Sequence, residues 1–419
     1  MLLIVIAYMV LMLLVGWWVG KFYIKGMTDF LLAGRRLGVI LCSATLAATH
    51  FGGGAVMGGG EYGFKYAWYG VSCGIGLIIL GLVTARRFRD LAFYTVPDYL
   101  EKRYGGKTVR VLGSLLSLVA LVGILAAQVL SARGALGILG ITGNTGAVVA
   151  TLVFIIYTTS GGLWAVTLTD LIQMTWAAIG VILASNMVLG HTGGYEGLKA
   201  LLQAKAVGPE YMSFWGIGTA GIMWLLLPTV MYTLIGQDFY QRLFAAKDGS
   251  TAKVSSLVGG IVLVIVSFFP ALMGMGAKAL ADLEDPSMAV PWVLQNLMGP
   301  LLGGLILAAI LAAIMSTADS LLSAATSHIV KDFWIEIFHL NEVDHEKELL
   351  RVSRIFTFVI GILALIIALI VPGIIDALIY SYTMWGILSG VSLFGAPVEI
   401  FAALISLVVF VVVSLITKK

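Results

Sequence analysis

The sequence predicts an all-α polytopic membrane protein, and three observations carry that prediction. Hydrophobic residues make up 60% of the chain and charged residues 11%, with a mean hydropathy of +1.03, whereas soluble domains carry about 25% charged residues. The apolar runs are continuous rather than alternating, which speaks against a β-barrel. Glycine is frequent, at 50 of 419 residues, as it is in membrane helices. The net charge of +3 is spread over short loops, so nothing suggests a nucleic-acid partner. Cys42 and Cys73 lie in apolar segments, where cysteine behaves as a small hydrophobe, and no disulfide is expected.

Spans of about 20 apolar residues fall at 2–23, 37–62, 67–84, 109–139, 147–159 and 163–189, then at 214–235, 254–277, 301–329, 355–371, 374–393 and 400–416. That makes about twelve. No basic residue precedes the first run and no small-residue cleavage site follows it, so it reads as a retained helix. Lysine and arginine concentrate after the first, third, seventh and ninth spans, as with Arg86, Arg110, Arg242 and Lys331. Alternating spans put all these loops on one side, which the positive-inside rule makes cytoplasmic. Twelve spans then leave Lys418 and Lys419 outside, so the parity points to a helix missing or miscounted near the end.

The second span is unusual. Residues 47–60 include Gly52, Gly53, Gly54, Gly58, Gly59 and Gly60, and each helix-interior glycine costs up to ~1 kcal/mol relative to alanine. An opened backbone in lipid is tolerated only where it is buried or lines a cavity. Such a discontinuous helix holds ions and solutes near the midplane of transporters. Equally, small residues let membrane helices pack closely, and on this stretch alone both readings stay open. The seventh span carries Pro228 and Thr229, and Gly236 follows it. Counted from the second span it is the sixth helix, so corresponding helices of two five-helix halves carry breakers, the pointer to an inverted repeat.

Residues 312–320 place Ser316, Thr317, Asp319 and Ser320 inside an apolar helix, with Ala313, Ser316, Thr317 and Ser320 on one face. A hydroxyl can bond its own helix, but a buried aspartate marks an ion path or a buried pair. Hydroxyls and opened carbonyls are the hard oxygen ligands a small alkali cation needs. Asp170 and Gln173 sit one turn apart in the sixth span; Asp170 is either an ion ligand or an edge residue reaching the cytoplasm. Gln128 in the fourth span bonds a solute or a neighbouring helix. The five histidines, His50, His191, His328, His339 and His345, show no metal-ligand spacing, so an enzyme is not expected.

These pieces together resemble the sodium:solute symporter family, which includes sodium-coupled sugar, proline and sialic acid carriers. The resemblance rests on residues 28–35 (TDFLLAGR), on Gly161-Gly162 through Thr169-Asp170 and Gln173, on Gln241-Arg242 with Ala245-Ala246-Lys247, and on 313–320. It implies a ten-helix core of two inverted five-helix repeats with discontinuous first and sixth core helices, plus flanking helices. The domains would be an extra helix and loop at 1–36, the core at 37–393 and a last helix at 394–419. The main sodium site would use carbonyls of Ala48, Phe51 and Ala313 with the hydroxyls of Ser316 and Thr317. A second would use Asp170, Ser316, Asp319 and Ser320, where Asp319 replaces the family's usual serine.

His50 stands where proline carriers have an acid and sugar carriers an amide, and the sugar carriers' polar residues are not found at Gly52–Gly54. The function expected is therefore sodium-coupled symport of a small carboxylate or amino acid across the cell membrane by alternating access. The solute would lie beside His50, Gly52, Gly53, Gly54 and Gln128. The alternatives are a transporter-like channel or sensor, or a proton-coupled carrier using His50.

Overall fold

A computed structural model of the chain describes residues 1–68, 73–141, 143–342, 344–371, 392–393 and 396–397. Its described part is helical apart from a short antiparallel pair, Ser392–Leu393 with Ala396–Pro397. The spans expected at 374–393 and 400–416 lie almost wholly outside these residues.

Helix α1 (Leu2–Phe22) buries Val5, Met9, Met12, Gly16 and Val19, a stripe spaced three and four residues apart. Its opposite face exposes Leu3, Leu14 and Trp17. Apolar surface of that extent belongs against lipid. Two short segments follow: α2 (Met27–Leu32) and, after Gly38, α3 (Val39–His50). Helix α3 stops at the glycine run, and α4 (Gly53–Tyr66) restarts bent by 52°. Between them Phe51 (φ −87°, ψ 61°) and Gly52 (φ −102°, ψ −156°) leave helical geometry. Next come α5 (Cys73–Val83), α6 (Ala85–Asp90), α7 (Val96–Tyr104) and α8 (Lys107–Gly137). Helix α7 opens on a capping box, Thr95 with Asp98.

Helix α9 (Asn144–Thr192) covers the fifth and sixth expected spans and is interrupted at Gly162 (φ 51°, ψ −151°), so the division seen in the sequence is a kink rather than a loop. A side chain there would collide with the Phe30 carbonyl and ring. Helix α10 (Gly194–Ala204) precedes α11 (Gly218–Ile235), and Gly236, with extended ψ of 121°, separates α11 from α12 (Gln237–Ala245). Of the breakers the sequence offers here, the chain stays helical through Pro228 and opens at Gly236.

Helix α13 (Gly249–Leu280) packs along α3, α4 and α5, and α14 (Ala289–Asn296) caps its outer end. Helix α15 (Pro300–Ser327) lies against α8 and α9, continues through a π-helical stretch at His328–Trp334 into α16 (Ile335–Phe338), and precedes α17 (Glu346–Ile370). Among the described residues, six helices are long and apolar enough to cross a membrane, seven if the bent α3–α4 pair counts as one. The α15 run has 83% of its apolar window buried against 28% for α1, so α15 is the axis of the bundle and α1 its lipid-facing flank.

Candidate functional site

The break between α3 and α4 lies directly against α15. Thr317 Oγ1 donates to the Ala48 carbonyl at 2.9 Å, and Ser316 Oγ reaches the same carbonyl at 3.5 Å and that of Ala313 at 2.9 Å. Ala48, Phe51, Ala313 and Ser316 are buried, and Thr317 is only 5% exposed. A Cβ on Gly52 would fall on the Thr317 side chain and within 2.8 Å of Gln128 Oε1. Only glycine lets the two segments approach this closely. Four of the five groups expected for the main sodium site thus converge, and Phe51 supplies the break itself.

A second polar group lies further along α15. Asp319 accepts a hydrogen bond from Tyr157 on α9, and Asp170 Oδ2 accepts one from Thr45 Oγ1 at 2.5 Å. Both aspartates are fully buried, within electrostatic reach of each other and of Arg242. Asp170 Oδ1 and Asp319 Oδ1 have no hydrogen-bond partner among the described residues. Ser320 accepts from Thr49 Oγ1 at 3.1 Å, so its hydroxyl is turned to α3. The reading of Asp170 as an edge residue is wrong: nothing of it reaches solvent. Arg242 is corrected too. It is fully buried rather than in a loop, donating to Thr45 Oγ1 at 3.3 Å and to the Asp238 carbonyl at 2.8 Å.

Around the residues expected to meet solute, Gln128 Oε1 accepts from the Gly53 N–H at 2.8 Å. That N–H is therefore occupied by the amide. His50 Nε2 pairs with Thr233 Oγ1 at 3.0 Å, and its ring packs at 5.2 Å from Phe239 and 6.0 Å from Tyr232. Tyr232 in turn donates to Asp238 Oδ2 at 2.5 Å. His50, Gly52, Gly53 and Gln128 therefore share one region between α3, α4, α8 and α11, and Gly54 follows on α4.

Reading the sequence alone missed Tyr8, Thr45, Tyr157, Tyr232 and Asp238. Tyrosine and threonine in apolar helices are too common to stand out. The one legible signal was the polar run of α12, Gln237, Asp238, Gln241 and Arg242, between aromatics.

The model of the sodium:solute symporter family matches residues 30–412. The chain belongs to that family. Members are transporters rather than enzymes, and the protein is a multi-pass membrane protein. It is 28% identical over 410 residues to the high-affinity choline transporter 1 of Drosophila melanogaster, covering 92% of this chain and 63% of that protein. It is also 28% identical over 425 residues to the sodium/glucose cotransporter of Vibrio parahaemolyticus, covering 91% and 77%. A substrate-bound, outward-open Na+-coupled sialic acid symporter shares its fold, with a TM-score of 0.77, 21% identity, and 87% and 80% coverage. The chain thus spans less than two thirds of the Drosophila transporter's length.

Proposed function

We propose that the protein imports a small organic solute by sodium-coupled symport. The observation that carries this is the contact from Thr317 and Ser316 to the Ala48 carbonyl, made where α3 breaks. A shared sodium ion takes the place of those hydrogen bonds, held by the carbonyls of Ala48, Phe51 and Ala313 and by the hydroxyl oxygens of Ser316 and Thr317, which keep their protons. It ties α15 to the bent pair α3–α4 and so biases one of the two arrangements that alternating access requires. A second cation sits by Asp170 and Asp319, with Ser316 and Ser320 nearby, where two carboxylates outnumber the single guanidinium.

The solute lies beside His50, Gly52–Gly54 and Gln128. The start of α4 carries the positive end of a helix dipole, and Gln128 holds its Gly53 N–H with an amide oxygen. A carboxylate or the carboxyl group of an amino acid takes that place more strongly, because charge-assisted hydrogen bonds are the stronger ones. His50 is engaged by Thr233 and by ring packing, which favours a structural or solute-facing role over proton coupling.

The test is uptake by the purified protein in vesicles, with radiolabelled carboxylates and amino acids compared against choline and glucose. Accumulation should require an inward sodium gradient and vanish when potassium replaces sodium. Accumulation indifferent to sodium would sink the coupling, and preference for choline or glucose would sink the assignment of the solute.

A further inference from the structure

Helix α1 lies outside the core implied by the family resemblance, yet it reaches the acid pair. Gly16 and Gly20 on α1 leave no room for a Cβ against Tyr157 and Ser160 of α9, so the two helices meet backbone to backbone as small-residue pairs allow. One and two turns before Gly16, Met12 and Tyr8 meet Gln173. Its Nε2 donates to Tyr8 Oη at 2.7 Å and to Met12 Sδ at 3.4 Å. Both contacts take the nitrogen. The amide oxygen is turned the other way, and Gln173 Oε1 is buried with no donor among the described residues. Gln173 lies on the Asp170 face of α9, and Tyr8 is within electrostatic reach of both Asp170 and Asp319.

Three buried acceptor oxygens, Asp170 Oδ1, Asp319 Oδ1 and Gln173 Oε1, thus have no donor among the described residues. Acceptors without donors are costly in a low-dielectric interior. A monovalent cation bound among them would offer these oxygens the partner that no described side chain supplies, whereas rotating the amide would break the Tyr8 bond. We propose that Tyr8 is a positioning residue for ion coupling: it turns Gln173 so that the amide oxygen completes the second cation position, making α1 part of the sodium-reading machinery. This rests on the reading that a cation occupies the Asp170–Asp319 position.

The experiment is equilibrium binding of radiolabelled sodium to the full chain in lipid nanodiscs. Wild type should bind two ions and Asp319→Asn one. A single ion in wild type, unchanged in Asp319→Asn, overturns the underlying reading and this proposal with it. Given two ions, Tyr8→Phe should weaken the Asp319-dependent ion about tenfold and leave the other alone. Adding Gln173→Glu to Tyr8→Phe should restore it, because a carboxylate presents an oxygen in either rotamer, while Met12→Leu should change little. Wild-type sodium affinity in Tyr8→Phe overturns the role of Tyr8 while sparing the second ion. So does a Tyr8→Phe defect that Gln173→Glu does not repair, accompanied by equal thermal destabilisation in sodium and potassium, since a purely structural tie behaves that way.

Discussion

Thr317 shows what one hydroxyl contributes. It has one proton to give and lone pairs to offer, and it spends the proton on the Ala48 carbonyl at 2.9 Å. On the proposed reading, sodium between them would make both oxygens ligands and the proton would turn away. Thr317→Ala deletes a ligand and leaves the buried Ala48 carbonyl short of a partner, a loss of about 1–3 kcal/mol. The half-saturating sodium concentration should rise at least about fivefold, since 1.4 kcal/mol is roughly tenfold. Thr317→Ser keeps the oxygen and should stay within about threefold of wild type. The measurement is the sodium dependence of uptake, and equal sodium affinity in Thr317→Ala would remove the hydroxyl from the site. Ser316 stood out in the sequence as much as Thr317 did, although its hydroxyl also bonds its own helix at Ala313. Tyr157 did not, because only the fold brings it to Asp319.

At the scale of an element, the breaks decide what the helices can do. Gly162 holds α9 at φ 51° and ψ −151°, a region nearly reserved for glycine. Gly162→Ala would combine that strain, about 1–3 kcal/mol, with a collision at Phe30. It should lower the melting temperature in lipid or detergent, while Gly190→Ala, at a glycine with open space around it, should not. A stable Gly162→Ala protein would mean the kink is not required. The break at Phe51–Gly52 was legible because six glycines crowd one span, but which of them opens was not, since Gly58–Gly60 stay helical within α4. Of the breakers named in the seventh span, Gly236 opens the chain and Pro228 does not, because membrane helices re-satisfy the group that proline frees. Arg242 was misassigned for a related reason. The positive-inside rule counts charges near span ends, and no periodicity announces that a nine-residue α12 folds inward to meet Thr45.

For the whole molecule, α15 carries two charged centres at different depths. Beyond the turn that carries Thr317, Arg110 on α8 bonds Asp332 at 2.8 Å, Asp98 at 2.6 Å, Glu336 at 2.9 Å and Glu101 at 3.0 Å. Asp332 is itself fully buried and also takes His328 Nδ1 and Ser114 Oγ, each at 2.7 Å. Arg110, expected in a loop, therefore clamps α7 and α8 to the π-helical end of α15. Removing one partner of a buried ion pair costs about 3–5 kcal/mol, mostly from the charge left behind. Arg110→Met should lose about that much, and adding Asp332→Asn should recover a good part of it. Thr317 and Asp332 are separated by roughly 20 Å of helix at 1.5 Å per residue, and effects at such separations usually add. Sodium at about 100 times its dissociation constant stabilises a folded state that alone binds it by ~2.7 kcal/mol. That sodium-dependent rise in melting temperature should persist in Arg110→Met, on a lower baseline. If the rise disappears along with Arg110, the clamp is coupled to the cation position and α15 moves as a rigid lever rather than as two independent ends.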